Sequence, residues 1–422
     1  MKTRFAYDSK NTENKKVATI GLASLLLLAA CGTKSNADQQ SSYSSSTATK
    51  SSQGSSAVSS DYISNEDKQT AYDETSSSKI TLKGSSAEIS GSGAEINENT
   101  ITISKAGTYI VTGESDNLQI LVDTADTDEV RIVLDGVTMT GDQTAINAQN
   151  ANKVYVTLAE GSKNTISDSS HNTAEDADAA IFSAIDVTIN GSGQLSIEGN
   201  ANNAIKANDS LHIVGGNYNI TAAGDAFNVN DELNIVDSQM TIESGEDAVK
   251  VDNDEDLTVG NMYLANNTMT IQAGDDAIHA SGNLLIDSGD YTISQSAEGL
   301  EGKTVTVNDG TFDITASDDG INAANANAAA SDISAIFNGG DFKITMADGD
   351  TDAVDSNGDL TVAGANFDIS GQSAFDYDGE VTYTGGTLLV NGEKLTEIVA
   401  TGPGSGGGGF GGAPAGGEMP KR

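Results

Sequence analysis

The sequence predicts an all-β solenoid, a parallel β-helix wound from a single chain, on three observations. Apolar triplets closing on Ile begin at Leu195, Tyr218, Met240, Met269, Tyr291, Phe312, Phe342 and Phe367, so successive starts lie 23, 22, 29, 22, 21, 30 and 25 residues apart. Gly, Asn and Asp turn residues fall at the same place in every repeat. Between the turns stand two or three short runs of Val, Ile, Thr and aromatic residues, with no helical periodicity. A period of this length fits one coil per repeat, each strand stacking about 4.8 Å from its counterpart in the next coil. Leucine-rich repeats would need a Leu and Asn spacing that is absent, and nonapeptide calcium repeats would need G-G-x-G-x-D in tandem. An array of antiparallel β-sandwiches stays open as the rival, because alternation alone does not separate the two kinds of pairing.

Taken in order, 1–31 reads as a lipoprotein signal peptide. Lys15 and Lys16 precede an apolar run over 17–30, shorter than the roughly 20 residues of a spanning helix. It ends Leu28, Ala29, Ala30, Cys31, Gly32, which resembles a lipobox, where the Cys is acylated and becomes the mature N-terminus. A free, unmodified Cys31 is the alternative. The expected location is the extracellular face of the cytoplasmic membrane, held by lipid alone. Residues 32–78, rich in Ser, Thr, Ala and Gln, bury too little apolar surface to fold and read as a tether with a reach of roughly 40 Å. From 79 to 168 the same strand chemistry recurs at Ile101, Tyr109, Val130 and Val154 with looser spacing, as expected of the capping coils that terminal repeats need. The solenoid is expected to run over 79–395, and the Gly-rich stretch 396–422 reads as a disordered tail.

Composition narrows the function. With 62 acidic and 21 basic residues among 422, the net charge is −41, which disfavours nucleic acid, since phosphate contacts need clustered Lys and Arg. One Cys excludes a disulfide framework. The three histidines, His171, His212 and His279, stand in unrelated contexts, which argues against zinc.

The acids instead align with the repeat. After each triplet comes an acid, a small residue and a large apolar one: Asp225-Ala226-Phe227, Asp247-Ala248-Val249, Asp276-Ala277-Ile278, Glu298-Gly299-Leu300, Asp319-Gly320-Ile321 and Asp352-Ala353-Val354. Stacked in register, neighbouring charges at about 4.8 Å repel by roughly 1 kcal/mol in water and several times that near a protein surface. Such a column must be solvated, partly protonated or bridged by cations. Further acids flank it at Glu246, Asp275, Asp318 and Asp350, and clustered carboxylates are the hard oxygen donors that Ca²⁺ takes about six to eight at a time. The metal candidates are therefore Asp225, Asp247, Asp275, Asp276, Glu298, Asp318, Asp319 and Asp352. The competing reading has each acid capping its own turn through backbone amides. Three residues beyond each acid runs a mixed column, Lys206, Asn228, Lys250, His279, Glu301, Asn322, Asp355 and Asp376, whose cations Lys206, Lys250 and His279 would neutralise the ladder or, alternatively, contact an acidic ligand.

The strings AGTYIVTG from Ala106, VRIVLDGVTMT from Val130, VYVTLAEGSKNTISD from Val154, AIFSAIDVTINGSGQLSI from Ala180, AEGLEGK from Ala297 and SDDGINA from Ser317 carry a resemblance that spans 79–392. The chain resembles the bacterial carbohydrate-binding β-helix lipoprotein family, similar to a clostridial calcium-containing cellulose- and pectin-binding protein shaped like polysaccharide lyases. The resemblance implies a right-handed parallel β-helix, bound Ca²⁺, affinity for polysaccharide, and acidic ligands at Glu298, Asp318 and Asp319. The function expected is a monomeric surface lipoprotein that binds an acidic, pectin-like or cellulosic glycan. Without Trp, sugar stacking would fall to Tyr263, Tyr291, Phe337 or Phe342, which fit a core equally well. A calcium-dependent lyase, with Lys303 as candidate base, and a non-catalytic adhesin or scaffold are the alternatives.

Overall fold

The computed structural model describes residues 58–174, 177–253, 255–347 and 351–401. The expected signal peptide with Cys31, the tether up to 57 and the tail beyond 401 lie outside the described residues. The protein is all-β, one large open mixed sheet, and a single 3-10 turn at Ala330–Asp332 is its only helical element among the described residues. Each strand alternates as its sequence dictates. In Gln239–Ser244, Met240, Ile242 and Ser244 point inward, while Gln239, Thr241 and Glu243 face solvent.

Pairing joins equivalent strands of successive repeats, in parallel. The first ladder runs Gln194–Gly199, Asn217–Ala222, Gln239–Ser244, Asn267–Gln272, Gly289–Gln295, Thr311–Ala316, Asp341–Met346, Asn366–Ser370 and Thr387–Val390. It holds every apolar triplet in register: Leu195 faces Tyr218, Tyr218 faces Met240, and Phe342 faces Phe367. A second ladder follows the acidic turn through Asn203–Ala207, Phe227–Val229 and Val249–Val251. A third runs through Leu211–Val214, Glu232–Val236 and Asn261–Ala265. The long strands Ile278–Ile286 and Leu300–Val307 bridge the second and third ladders, with a register break between Ala280 and Asn283. Antiparallel pairs occur at the two ends, Ser78–Gly84 with Ser86–Ser90 and Ala94–Asn97 with Thr100–Ile103 at one, Thr387–Val390 with Glu393–Leu395 at the other.

Inside, identical positions stack into columns. Tyr291, Phe312, Phe342 and Phe367 form a pile of near-parallel rings with centroids 5.0, 4.5 and 4.7 Å apart, and Phe337 meets Phe342 and Phe367 edge-on. Tyr291, Phe337 and Phe342 are therefore core residues, and none of them offers a ring to a sugar. The small residue of each acidic turn packs just as closely. A side chain at Gly299 would collide with the carbonyl of Gly320 and a methyl of Ile314.

The chain expected to be tether is ordered from Val58 on. Ile63 is fully buried with Val236, Tyr263 and Ala265, and Tyr62 stacks on Tyr263 at 4.1 Å, so Tyr263 is also covered. Asp67 fixes this strap to the third ladder and its neighbour. Its Oδ1 accepts from Thr188 Oγ1 (2.6 Å) and lies 2.7 Å from Lys153 Nζ, and its Oδ2 lies 3.1 Å from His212 Nδ1. Asn190 Nδ2 donates to the Asp67 and Gln69 carbonyls. Burial would raise the Asp67 pKa, but bonds from His212, Lys153, Thr188 and Ser64 hold it well below the usual range. At the other end, Ile398 is buried and Thr401 Oγ1 accepts from the Ala374 amide, so order extends six residues past the expected boundary at 395.

Two consequences are measurable. Phe342→Ala removes the middle of the ring pile and should cost about 3–5 kcal/mol, read as a lower guanidinium midpoint at unchanged slope. Asp67→Ala leaves Lys153 and His212 without their shared anion, and trypsin should then cut at Lys68 faster than in the wild type while the main melt stays cooperative.

Candidate functional site

The turn between the first and second ladders brings the acids together, because in each the acid immediately precedes a buried small residue that leads into the next strand. Asp225, Asp247, Asp276, Glu298, Asp319 and Asp352 lie in one column, linked by a repeating bond. The amide of Asp247 donates to Asp225 Oδ1 (3.0 Å), that of Asp276 to Asp247 Oδ1 (2.9 Å), and that of Glu298 to Asp276 Oδ1 (3.0 Å). The amide of Asp352 donates to Asp319 Oδ1 (3.1 Å). The acids thus cap turns, but Asp225, Asp247, Asp276 and Asp319 cap the turn of the next repeat rather than their own.

This bond uses one oxygen per carboxylate and leaves the other for the column three residues on. Asp225 Oδ2 accepts from Asn228 Nδ2 at 2.5 Å, Asp247 Oδ2 pairs with Lys250 Nζ at 2.7 Å, and Asp276 Oδ2 lies 3.3 Å from His279 Nδ1. Asp225 and Asp247 are only 3% and 4% exposed, so partners are obligatory rather than ornamental. Burial alone would lower the His279 pKa, yet bonds to Asp276 and Glu301 push it up to about 10. Lys250 behaves likewise, its pKa raised by Asp247 against the effect of burial. Lys206 pairs with Asp178 at 2.7 Å, one coil earlier. The cations of this column do neutralise the ladder, over its first half.

At Glu298 the pattern is interrupted, and beyond it only the amide bond from Asp352 to Asp319 resumes it. Glu298 is one methylene longer, and both its oxygens accept from Asn322 Nδ2 at 3.1 Å in the following coil. Burial, then repulsion from Glu301 and Asp276, pushes its pKa up to about 9. Burial and the neighbouring acids Asp355, Asp318 and Asp352 carry Asp319 to about 7, and burial with Asp352 and Asp376 carries Asp355 to about 6. Among the described residues no Lys, Arg or His pairs with these three. Asn322, 8% exposed, has a buried Oδ1 with no hydrogen-bond partner.

Carboxylate oxygens are the donors a hard cation takes. Glu298 is coupled through charge to Asp319, and Asp319 to Asp355. One step back, Asp247, Asp275 and Asp276 each offer an oxygen within 4.8 Å of the others. Asp276, His279 and Glu301 form a second such cluster, where the imidazolium balances the two acids.

The structure brings Asp225, Asp247, Asp276, Glu298, Asp319 and Asp352 into one column and sets Asp275 beside it. Asp318 is on the exposed flank and acts on Asp319 only through charge. Asp350 lies outside the described residues. Lys303 turns away from the acids, its Nζ donating to the Leu257 carbonyl at 3.4 Å. Glu301, Asn322 and Asp355 belong to the site although the sequence placed them in the mixed column and gave them no metal role. Their signal was the constant offset of three residues, with the acid at or just before the start of the strand that carries its partner.

Comparison with known proteins agrees in class. A family described as carbohydrate-binding domain-containing protein matches residues 97–349 and, in a second overlapping match, 278–397. A solved structure described as the polysaccharide lyase-like protein from C. thermocellum, a gadolinium derivative, is 30% identical and covers 55% of this chain and 93% of its own, with a TM-score of 0.50. No curated protein matches in sequence.

The raised pKa values set the sign of a pH dependence. Glu298, Asp319, Asp355 and His279 hold their protons more tightly folded than unfolded. Each adds stability that is complete below its unfolded pKa and lost as the pH climbs through its folded one. The windows run from 4.5 to about 9, 3.8 to about 7, 3.8 to about 6 and 6.5 to about 10 respectively. Asp67 and Asp276 act oppositely, but below 3.8. The melting temperature of chelated protein should therefore fall steadily between about pH 5 and 9, less steeply in Glu298→Gln, and a rise over that interval contradicts the assignment.

Proposed function

Because the chain belongs to the carbohydrate-binding domain-containing family, we propose that it binds polysaccharide on a right-handed parallel β-helix whose acidic ladder holds Ca²⁺. The observation that carries the reading is the half-ladder of Glu298, Asp319 and Asp355, buried acids coupled through charge with no Lys, Arg or His paired to them among the described residues. Its residues would hold one ion, and Asp247, Asp275 and Asp276 a second. Ca²⁺ bound there would offset the repulsion and offer a cationic contact to a glycan carboxylate. The three ladders support the coil, each pairing a strand with its counterpart in the next repeat. The leader over 1–31 with lipidation at Cys31 would place the protein on the outer face of the cytoplasmic membrane.

Binding is favoured over cleavage. Abstraction of a proton beside a uronate carboxylate needs a base that is neutral at working pH. Lys250 and His279 are held charged by their acids, and Lys303 is bonded to a loop carbonyl. The name of the solved relative, lyase-like, leaves cleavage as the second reading, so the test separates the two.

Calcium titration of the full chain should raise the melting temperature, with a gain of about 2.7 kcal/mol at a hundredfold excess over Kd. Glu298→Gln with Asp319→Asn should remove most of that gain. Polygalacturonate should be retained with Ca²⁺, released by chelator and recovered without unsaturated product. No thermal response would overturn the metal assignment, and calcium-dependent unsaturated product would establish the lyase.

A further inference from the structure

We propose that the last four strands of the first ladder form, on their outer face, a groove for an uncharged glycan, separate from the acidic ladder. The proposal rests on the polysaccharide-binding reading and names where a neutral chain sits. A groove of about 480 Å³ crosses Thr311–Ala316, Asp341–Met346, Asn366–Ser370 and Thr387–Val390, at the starts of these strands. The acids of the ladder lie in the turns beyond the strands' other ends, so the two features occupy different parts of each coil.

The register makes the groove a repeating surface. One outward row reads Thr311, Asp341, Asn366, Thr387, and the next reads Asp313, Lys343, Asp368, Leu389. Polar groups thus recur at one strand spacing, about 4.8 Å, comparable to the width of a hexose unit in an extended chain. Several are already aimed. Lys343 Nζ donates to both oxygens of Asp313 at 3.1 and 3.0 Å, and Asn366 Nδ2 donates to Asp341 Oδ1 at 2.8 Å. The exposed lining between them is mainly carbon, with Leu389 at the end. A pocket of apolar lining with a few placed polar groups suits a sugar, whose ring faces are apolar and whose edges carry hydroxyls. Beneath lie the stacked rings of Phe312, Phe342 and Phe367, which fix the strands, so little order has to be created on binding.

Charge selects the ligand. The groove carries Asp313, Asp341 and Asp368 against Lys343 alone, and Lys343 is already paired with Asp313. An anionic chain would be repelled here, whereas carboxylates accept hydrogen bonds from neutral hydroxyls. A neutral hexose polymer therefore fits the groove, and uronates are left to the ladder.

The test is calorimetric titration of the full chain with cellohexaose, mannohexaose and an oligogalacturonate, each with and without chelator. The wild type should bind a neutral hexamer equally in both conditions. Asp368→Ala and Leu389→Arg should each weaken that binding by at least about tenfold, with the calcium-dependent thermal shift intact as the control for folding. Neutral binding unchanged in both variants, or abolished by chelator, overturns the groove and spares the broader reading. A wild type that binds no glycan of either kind overturns the polysaccharide reading and the groove with it.

Discussion

In a parallel ladder each side chain has its counterpart one strand spacing, about 4.8 Å, above and below, and everything else in this protein follows from that proximity. Apolar positions profit from it. Tyr291, Phe312, Phe342 and Phe367 pile ring on ring because the register leaves them nowhere else to go, and the turn residues Gly299 and Gly320 stay bare because a neighbouring backbone fills the space. Polar positions profit as well, since Asn266 reaches Asp237 and Asn338 reaches Asn308 along the stack. Acids do not, because the same spacing sets like charges side by side.

The ladder handles this cost in two ways. Over Asp225, Asp247 and Asp276 each carboxylate is divided, one oxygen taking the amide of the next coil and the other an Asn, Lys or His three residues on. Beyond Glu298 the three-residue column turns acidic, through Glu301, Asp355 and Asp376, and the repulsion is relieved by keeping protons at pH values where carboxylates are normally bare. One turn geometry thus has charged or amide partners in the first half and raised carboxyl pKa values in the second, and the switch is made by what stands three residues downstream.

Much of this was legible because it is periodic. The triplets and the acid-small-apolar turns sit at fixed positions, so their stacking followed from spacing alone. The strap was not legible. Its composition is that of a linker, and its hold depends on Asp67 meeting Thr188 and His212, 121 and 145 residues away, contacts that no local pattern encodes. Tyr263 was ambiguous for the same reason, its outward position being covered by Tyr62 from outside the repeat. In the site, the first column was found because its chemistry is uniform. The second was undervalued because Lys, Asn, His and Glu alternate in it, and a mixed column reads as surface until the partner across the turn is known.

Protons and the proposed metal would compete for the second half of the ladder, and this ties its two properties together. A carboxyl held near 9 by burial and its neighbours is a poor ligand until a cation replaces the proton, so an ion bound there would release protons and bind more strongly as the pH rises. The energy that burial and repulsion store in the fold is what a divalent ion would relieve. A monovalent ion would relieve half as much per site, and a solvated acid elsewhere on a chain of net charge −41 stores nothing to relieve. A preference for a divalent cation would therefore need no shaped cage. It would follow from stacking acids in register, burying them, and omitting the Lys or His that the preceding repeats supply.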